Sequence, residues 1–184
     1  MRLFAAVPLP EPARSEVAGL LGRLRRQELP VRWVRDEGLH LTLKFFGEVA
    51  PERLQAIEEA IRLANQGSAP LSMRLDELGA FPDPRRPRVL WVGLEAPPAL
   101  ELLQDRLERQ CDAIGFPPEG APFRPHITLG RVRDRERCTL RSVQEAAAPV
   151  EQVAFLATDL VLYESLPGSG PPRYEPRLTV ELGA

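Results

Sequence analysis

Residues 2–7 are short and apolar, as a buried strand would be, and beyond Pro8, Pro10 and Pro12 the apolar positions Ala13, Val17, Leu20, Leu21 and Leu24 fall at helical spacing. Extended segments are predicted over 33–35 and 39–49. Ala50 and Pro51 end the second of these, and Leu54, Ile57, Ile61 and Ala64 then mark an amphipathic helix. Residues 71–78 return to a strand.

A shift of 86 positions, the separation of His40 from His126, lays the second half of the chain over the first. Arg88, Val89 and Leu90 fall on Arg2, Leu3 and Phe4, and a helix through Leu100, Leu103, Leu107 and Cys111 falls on the first one. Each histidine is followed by another helix, the second through Leu140, Val143 and Ala147. Residues 158–164 answer 71–78 with a one-residue slip, and the tail 174–182 matches the strand of Trp91. Identity between the halves is thin, so the order of elements carries the comparison. The expectation is an α+β fold of two pseudo-symmetric lobes, each a mostly antiparallel sheet with helices outside and a cleft between them. Residues 1–184 then form a single bilobal domain whose halves can exchange strands. The strands are too short and closely connected for a doubly wound parallel sheet.

The chain has only two histidines, and they stand in near-identical strings, His40-Leu41-Thr42-Leu43 and His126-Ile127-Thr128-Leu129. With five threonines in 184 residues, chance places one two positions after both histidines in roughly one chain in 1,400. On a strand His40 and Thr42 share one face while Leu41 and Leu43 share the other, and the second string repeats this. Each half therefore offers an imidazole and a hydroxyl, with an aliphatic face to pack under its helices. Two histidines, two hydroxyls and no carboxylate partner suit phosphodiester cleavage. Imidazole titrates at about 6.5 when unperturbed, so one ring can act as base and the other as acid near neutrality. The threonines can donate to non-bridging oxygens. Zinc wants three or four ligands, and no cysteine or aspartate stands at ligand spacing, so no metal and no cofactor are implied. A Gly-x-Ser-x-Gly setting for a serine hydrolase is also missing.

Composition narrows the setting. At 184 residues, 43% apolar and 27% charged, the chain fits one ordinary domain or a compact pair of lobes and needs no disulfide to fold. With 24 basic against 26 acidic side chains, it does not coat nucleic acid by bulk charge, and any such contact is local. No apolar run approaches the roughly 20 residues of a membrane span. Cys111 and Cys138 form no CxxC pair, and residues 1–7 do not read as a signal peptide, so a cytoplasmic location is expected.

The paired His-x-Thr-x strings resemble the 2H phosphoesterases, specifically the RNA 2',3'-cyclic phosphodiesterases, also called 2'-5' RNA ligases. The likeness runs through RLFAA at 2–6, HLTLKFFGEV at 40–49, RPHITLGR at 124–131 and LYES at 162–165. It implies a bilobal, metal-independent monomer that acts on RNA 3' ends carrying a 2',3'-cyclic phosphate, tRNA fragments among them, and opens them to a 2'-phosphate. His40 would be the proton donor to the departing 3'-oxygen and His126 the proton acceptor from water. Thr42 and Thr128 would hold the phosphate. Strand parity alone does not say which histidine has which role. A small cyclic-nucleotide phosphodiesterase would use the same four residues without a basic path out of the cleft, and a non-catalytic nucleotide-binding module would use the same cradle. The charge pattern does not separate these readings.

The family also places an arginine five residues after the second histidine, where Arg131 stands. Strict alternation turns it away from His126, so a bulge near Gly130 is expected to turn its guanidinium toward the phosphate. Phe46 and Lys44 share His40's face by parity, which makes Phe46 a candidate to stack on a nucleobase. The five arginines between Arg131 and Arg141 could guide an RNA strand toward the cleft, although a solvated surface face is the preferred reading of the run.

Overall fold

The apolar positions at helical spacing are buried where the periodicity put them: Ala13, Val17, Leu20, Leu21 and Leu24 on α1 (Ala13–Arg25), Ile57, Ala60, Ile61 and Ala64 on α2 (Leu54–Asn65), Leu100, Leu103, Leu107 and Cys111 on α3 (Pro98–Ala113), and Val143 and Ala147 on α4 (Leu140–Ala147). Burial of each large aliphatic side chain contributes about 1.5–3 kcal/mol. A reciprocal cap starts α4: the Thr139 hydroxyl accepts from Ser142 N at 3.2 Å while Ser142 Oγ accepts from Thr139 N at 3.3 Å. The computed structural model describes residues 1–183.

The strands are β1 (Arg2–Pro8), β2 (Val31–Trp33), β3 (His40–Glu48), β4 (Leu71–Phe81), β5 (Val89–Glu95), β6 (His126–Val132), β7 (Ala154–Ala157), β8 (Asp159–Leu166) and β9 (Arg173–Glu181). All pairings are antiparallel, in the order β7-β4-β5-β6-β3-β1-β8-β9, with β2 also on β6. The expected α+β class and the paired lobes are present, and they are joined edge to edge as halves of one curled sheet. In one half β4, from the first half of the sequence, lies beside β5, and in the other β8 and then β9, from the second half of the sequence, lie beyond β1, so strands are exchanged between the halves.

The junction between halves is narrow. It consists of β3 against β6, with Leu41 opposite Ile127 as the register pair. These two residues are equivalents under the 86-residue repeat, so the pseudo-twofold axis passes between them. Further along β6 its free edge is taken by β2, Val31 to Trp33 opposite Val132 to Gly130. The extended segment expected at 33–35 thus lies two residues earlier, because its partner is β6. Helices cover the aliphatic face: α2 packs on α3, α3 on β3, α1 on α4 and α4 on β4. Among the described residues no helix is long and apolar enough to cross a membrane.

Candidate active site

Leu41 and Ile127 are fully buried beneath the sheet, so the residues on either side of each point the other way, into the cleft. In the antiparallel register that pairs Leu41 with Ile127, His40 lies across from Thr128 and Thr42 across from His126. The two histidines are then diagonal neighbours, roughly 7–8 Å apart at the backbone. Two cavities of about 910 Å³ and about 800 Å³ open on this face. They share Thr42, Phe45, Thr128 and Arg131 as walls, with His40 in the first and His126 in the second.

Each ring is held in the same way. His40 Nδ1 lies 2.6 Å from the Gly38 carbonyl oxygen and His126 Nδ1 lies 2.7 Å from that of Arg124. A carbonyl can only accept, so Nδ1 carries the proton and donates it, which leaves Nε2 for chemistry in the neutral ring. Aromatic side chains complete the cages. Tyr174 meets His40 edge-on at 5.2 Å between centroids and Phe4 lies at 4.8 Å, while Phe81 meets His126 edge-on at 5.1 Å. Gly38 permits the first cage, since a Cβ there would come within 2.9 Å of the Tyr174 ring.

Burial drives His40 from its ordinary 6.5 down to about 4, against the pull of the Gly38 carbonyl and with His126 adding repulsion. His126 is also lowered, chiefly by burial, with the Arg124 carbonyl opposing and Arg131 reinforcing the shift. Both rings are neutral at pH 7 in the free protein. An anion seated between them favours the imidazolium form.

The bulge expected near Gly130 is present. On β5, Leu90 pairs with Gly130 but Trp91 pairs with Thr128, so Leu129 is the extra residue. Leu129 and Gly130 are both buried, parity resets, and Arg131 lines both cavities. A Cβ at Gly130 would lie 2.7 Å from Val31 Cγ1, 2.8 Å from the Arg32 carbonyl oxygen and 2.9 Å from the Trp33 ring. Glycine is what lets β2 come this close.

An equivalent bulge in β3 overturns one expectation. Ala5 pairs with Lys44 and Ala6 with Thr42, so Leu43 is extra and alternation resets there too. Phe46, expected on the cleft face, is buried and packs edge-on against Phe116 at 5.3 Å. Phe45 stands in the cleft instead. Lys44 likewise leaves the cleft face: it is 1% exposed, bound to Glu108 of α3 and to the Pro117 carbonyl oxygen at 2.6 Å. Of the five arginines between 131 and 141, Arg131 and Arg133 line the first cavity, whereas Arg141 bridges Glu145 on its own helix. Arg32, Trp33 and Tyr174 were not singled out in the sequence. Their strands reach the cleft through pairings that local pattern does not encode.

A duplicated α+β scaffold that sets two carbonyl-anchored imidazoles, two hydroxyls and a guanidinium around one cleft has the donor set of a phosphoester-processing enzyme. The LigT like Phosphoesterase family model matches residues 7–91 and again residues 92–174, and the chain belongs to that family. An RNA 2',3'-cyclic phosphodiesterase of Methanothermobacter thermautotrophicus is 34% identical over 168 residues, spanning 87% of this chain and 91% of that protein. The crystal structure of TT0787 of Thermus thermophilus superposes with a TM-score of 0.82 at 29% identity, covering 99% of this chain and 98% of that one. The Escherichia coli LigT structure complexed with 3'-AMP does so at 0.79 and 27%, covering 100% and 98%.

Proposed function

We propose that this phosphoesterase opens RNA 2',3'-cyclic phosphate ends to 2'-phosphomonoesters by acid-base catalysis between His40 and His126. The observation that carries the reading is the matched anchoring of both rings, each fixed through Nδ1 to the carbonyl two residues upstream, beside Thr42, Thr128 and Arg131. The activity named for the Methanothermobacter relative supports the choice of RNA cyclic phosphate.

In this reading the phosphodiester anion sits across the β3–β6 junction and raises the proton affinity of the rings beside it. His126 Nε2 takes a proton from water as the water oxygen bonds to phosphorus. The bond to the 3'-oxygen breaks on the opposite side, and His40, protonated in the complex, gives its proton to that oxygen. Thr42, Thr128 and Arg131 donate to the non-bridging oxygens as charge builds. The proton balance is restored through solvent. The assignment of His40 as donor follows the family resemblance. Joining such an end to a 5'-hydroxyl as a 2'-5' linkage uses the same groups in reverse, with water the more abundant nucleophile. The unpaired Cys111 and Cys138 support a cytoplasmic location.

The test is an oligoribonucleotide ending in 2',3'-cyclic phosphate, incubated with wild type, His40→Ala and His126→Ala, each with and without EDTA. The expected result is a 2'-phosphate product with wild type in both conditions and a loss of at least about 10³-fold in either variant. Equal turnover in variants and wild type overturns the mechanism, and loss on chelation overturns its metal independence.

A further inference from the structure

The two cavities that meet at the motif residues differ in charge. Arg32, Arg131 and Arg133 line the His40 side together with Arg25, which is paired with Asp36 at 2.8 Å, and no acidic side chain lines it among the described residues. The His126 side carries Asp105, Glu108, Asp112 and Glu119 against Arg109, Arg124 and the shared Arg131.

The placement of the arginines is unusual in itself. Arg32 of β2 and Arg131 of β6 are direct register partners, and like charges facing each other across a ladder destabilise it. Arg133, two positions beyond Arg131, also lines this cavity. Arg131 and Arg133 have no ion-pair partner among the described residues, and Arg32 meets Asp134 only at 3.8 Å with both side chains largely exposed. The terminal phosphate, already served by Arg131 and two threonines, does not account for Arg32 and Arg133. Trp33, Phe45 and Tyr174 line the same space. Guanidiniums interleaved with aromatic faces are what single-stranded nucleic acid binds, the charges tracking the backbone and the rings stacking on bases.

We propose that the cavity on the His40 side is a tract for the single-stranded RNA that precedes the terminal cyclic phosphate. Arg32 and Arg133 contact its backbone phosphates, and Trp33, Phe45 and Tyr174 form the stacking wall. The polarity rests on the proposed function, in which the departing 3'-oxygen sits at His40, so that the ribose and the chain attached to it extend to this side. The side beyond His126 is of mixed charge, with Asp105 paired to Arg109 and Glu108 to Lys44, so it offers a nucleic-acid backbone no excess of cations.

The test pairs a binding measurement with a turnover measurement. Fluorescence anisotropy follows a 5'-labelled oligoribonucleotide of about eight nucleotides bearing an unreactive 3'-terminal phosphate, over a range of salt, with wild type and Arg32→Gln/Arg133→Gln. Hydrolysis of a mononucleoside 2',3'-cyclic phosphate is measured in parallel. The expected result is oligonucleotide binding weakened at least tenfold in the double variant, with a salt slope shallower by about 1.4, or about 0.7 for each phosphate no longer neutralised. The effect on the mononucleotide is expected to be at least tenfold smaller. Equal effects on both ligands, or a wild type that binds the oligonucleotide no more tightly than the mononucleotide, overturn the tract and leave the proposed function standing. Tight, salt-sensitive oligonucleotide binding without turnover of either cyclic phosphate supports the tract and overturns the proposed function.

Discussion

Phe45 and Arg131 are counterparts. Each stands five residues beyond its histidine, just past a bulge whose extra residue is Leu43 in one half and Leu129 in the other, and each lines both cavities. The duplication has kept the backbone device and varied the side chain it delivers. One half delivers an aromatic face to the cleft and the other a guanidinium.

Arg131→Ala should lower kcat/KM for a cyclic phosphate end by about 10²–10³-fold, the usual loss for one preorganised donor to a charge-bearing transition state. Arg131→Lys should recover only part of it, because a point charge does not reproduce the planar fork. The Arg131 side chain is exposed and unpaired among the described residues, so the melting temperature should move by less than about 2 °C. Steady-state kinetics with thermal melts checks this. Full recovery by lysine would refute the bidentate role.

Activity should show different pH limits free and bound. His40 sits at about 4 in the free protein, yet the proposed function makes it the acid, so in free enzyme the required protonated form fades as pH rises past that value. The bound phosphate anion stabilises the imidazolium and moves the limit upward. The alkaline limb of kcat, which reports the complex, should therefore lie at higher pH than that of kcat/KM, which reports free enzyme. Profiles measured at saturating and at low substrate decide it. Coincident limbs would show that substrate does not supply the proton affinity.

Stability should carry the same signature with a definite sign. A histidine at about 4 when folded and at about 6.5 when unfolded binds more protons in the unfolded chain between those values, so stability falls as pH drops through that window. Above about 6.5 both states hold the neutral ring and the residue makes no pH-dependent contribution. The loss reaches about 3 kcal/mol at most by pH 4. Urea titrations across pH 4–7 should show a shallower acid decline in His40→Gln than in wild type, and parallel curves would refute the depressed value.

The helices, most strands and the motif faces were legible because they depend on local spacing. Leu41 and Ile127 had to be buried, so His40, Thr42, His126 and Thr128 had to face away from the helices. Gly130 gave a visible reason to expect a bulge. The bulge at Leu43 had no such marker: Lys44 and Phe46 both fit the cleft face by parity, and only the pairing with β1 and the acceptor on α3 show otherwise. Arg32 and Trp33 were illegible for a similar reason. A three-residue strand is defined by its partner, and the partner lies about a hundred residues away along the chain.

That hidden bulge yields the last prediction. Lys44 occupies the position equivalent to Gly130, and after the bulge its side chain runs under the sheet to Glu108, which also accepts from Gln104 at 3.1 Å. Lys44 is 1% and Glu108 8% exposed, so removing one partner leaves a largely buried charge without its counter-ion. Lys44→Met should destabilise the protein by about 3–5 kcal/mol. Lys44→Met/Glu108→Leu removes both charges and should restore most of that, since apolar replacement of a buried pair is often neutral. Phe45 lies next to Lys44 at the bulge, so the double variant should fold well yet bind nucleotide less tightly if the ion pair holds Phe45 in the cleft. Urea unfolding of the three proteins gives the coupling energy, and nucleotide affinity gives the positioning role. A double variant as unstable as the single one would show that the site needs its charge, and unchanged affinity would confine the pair to stability.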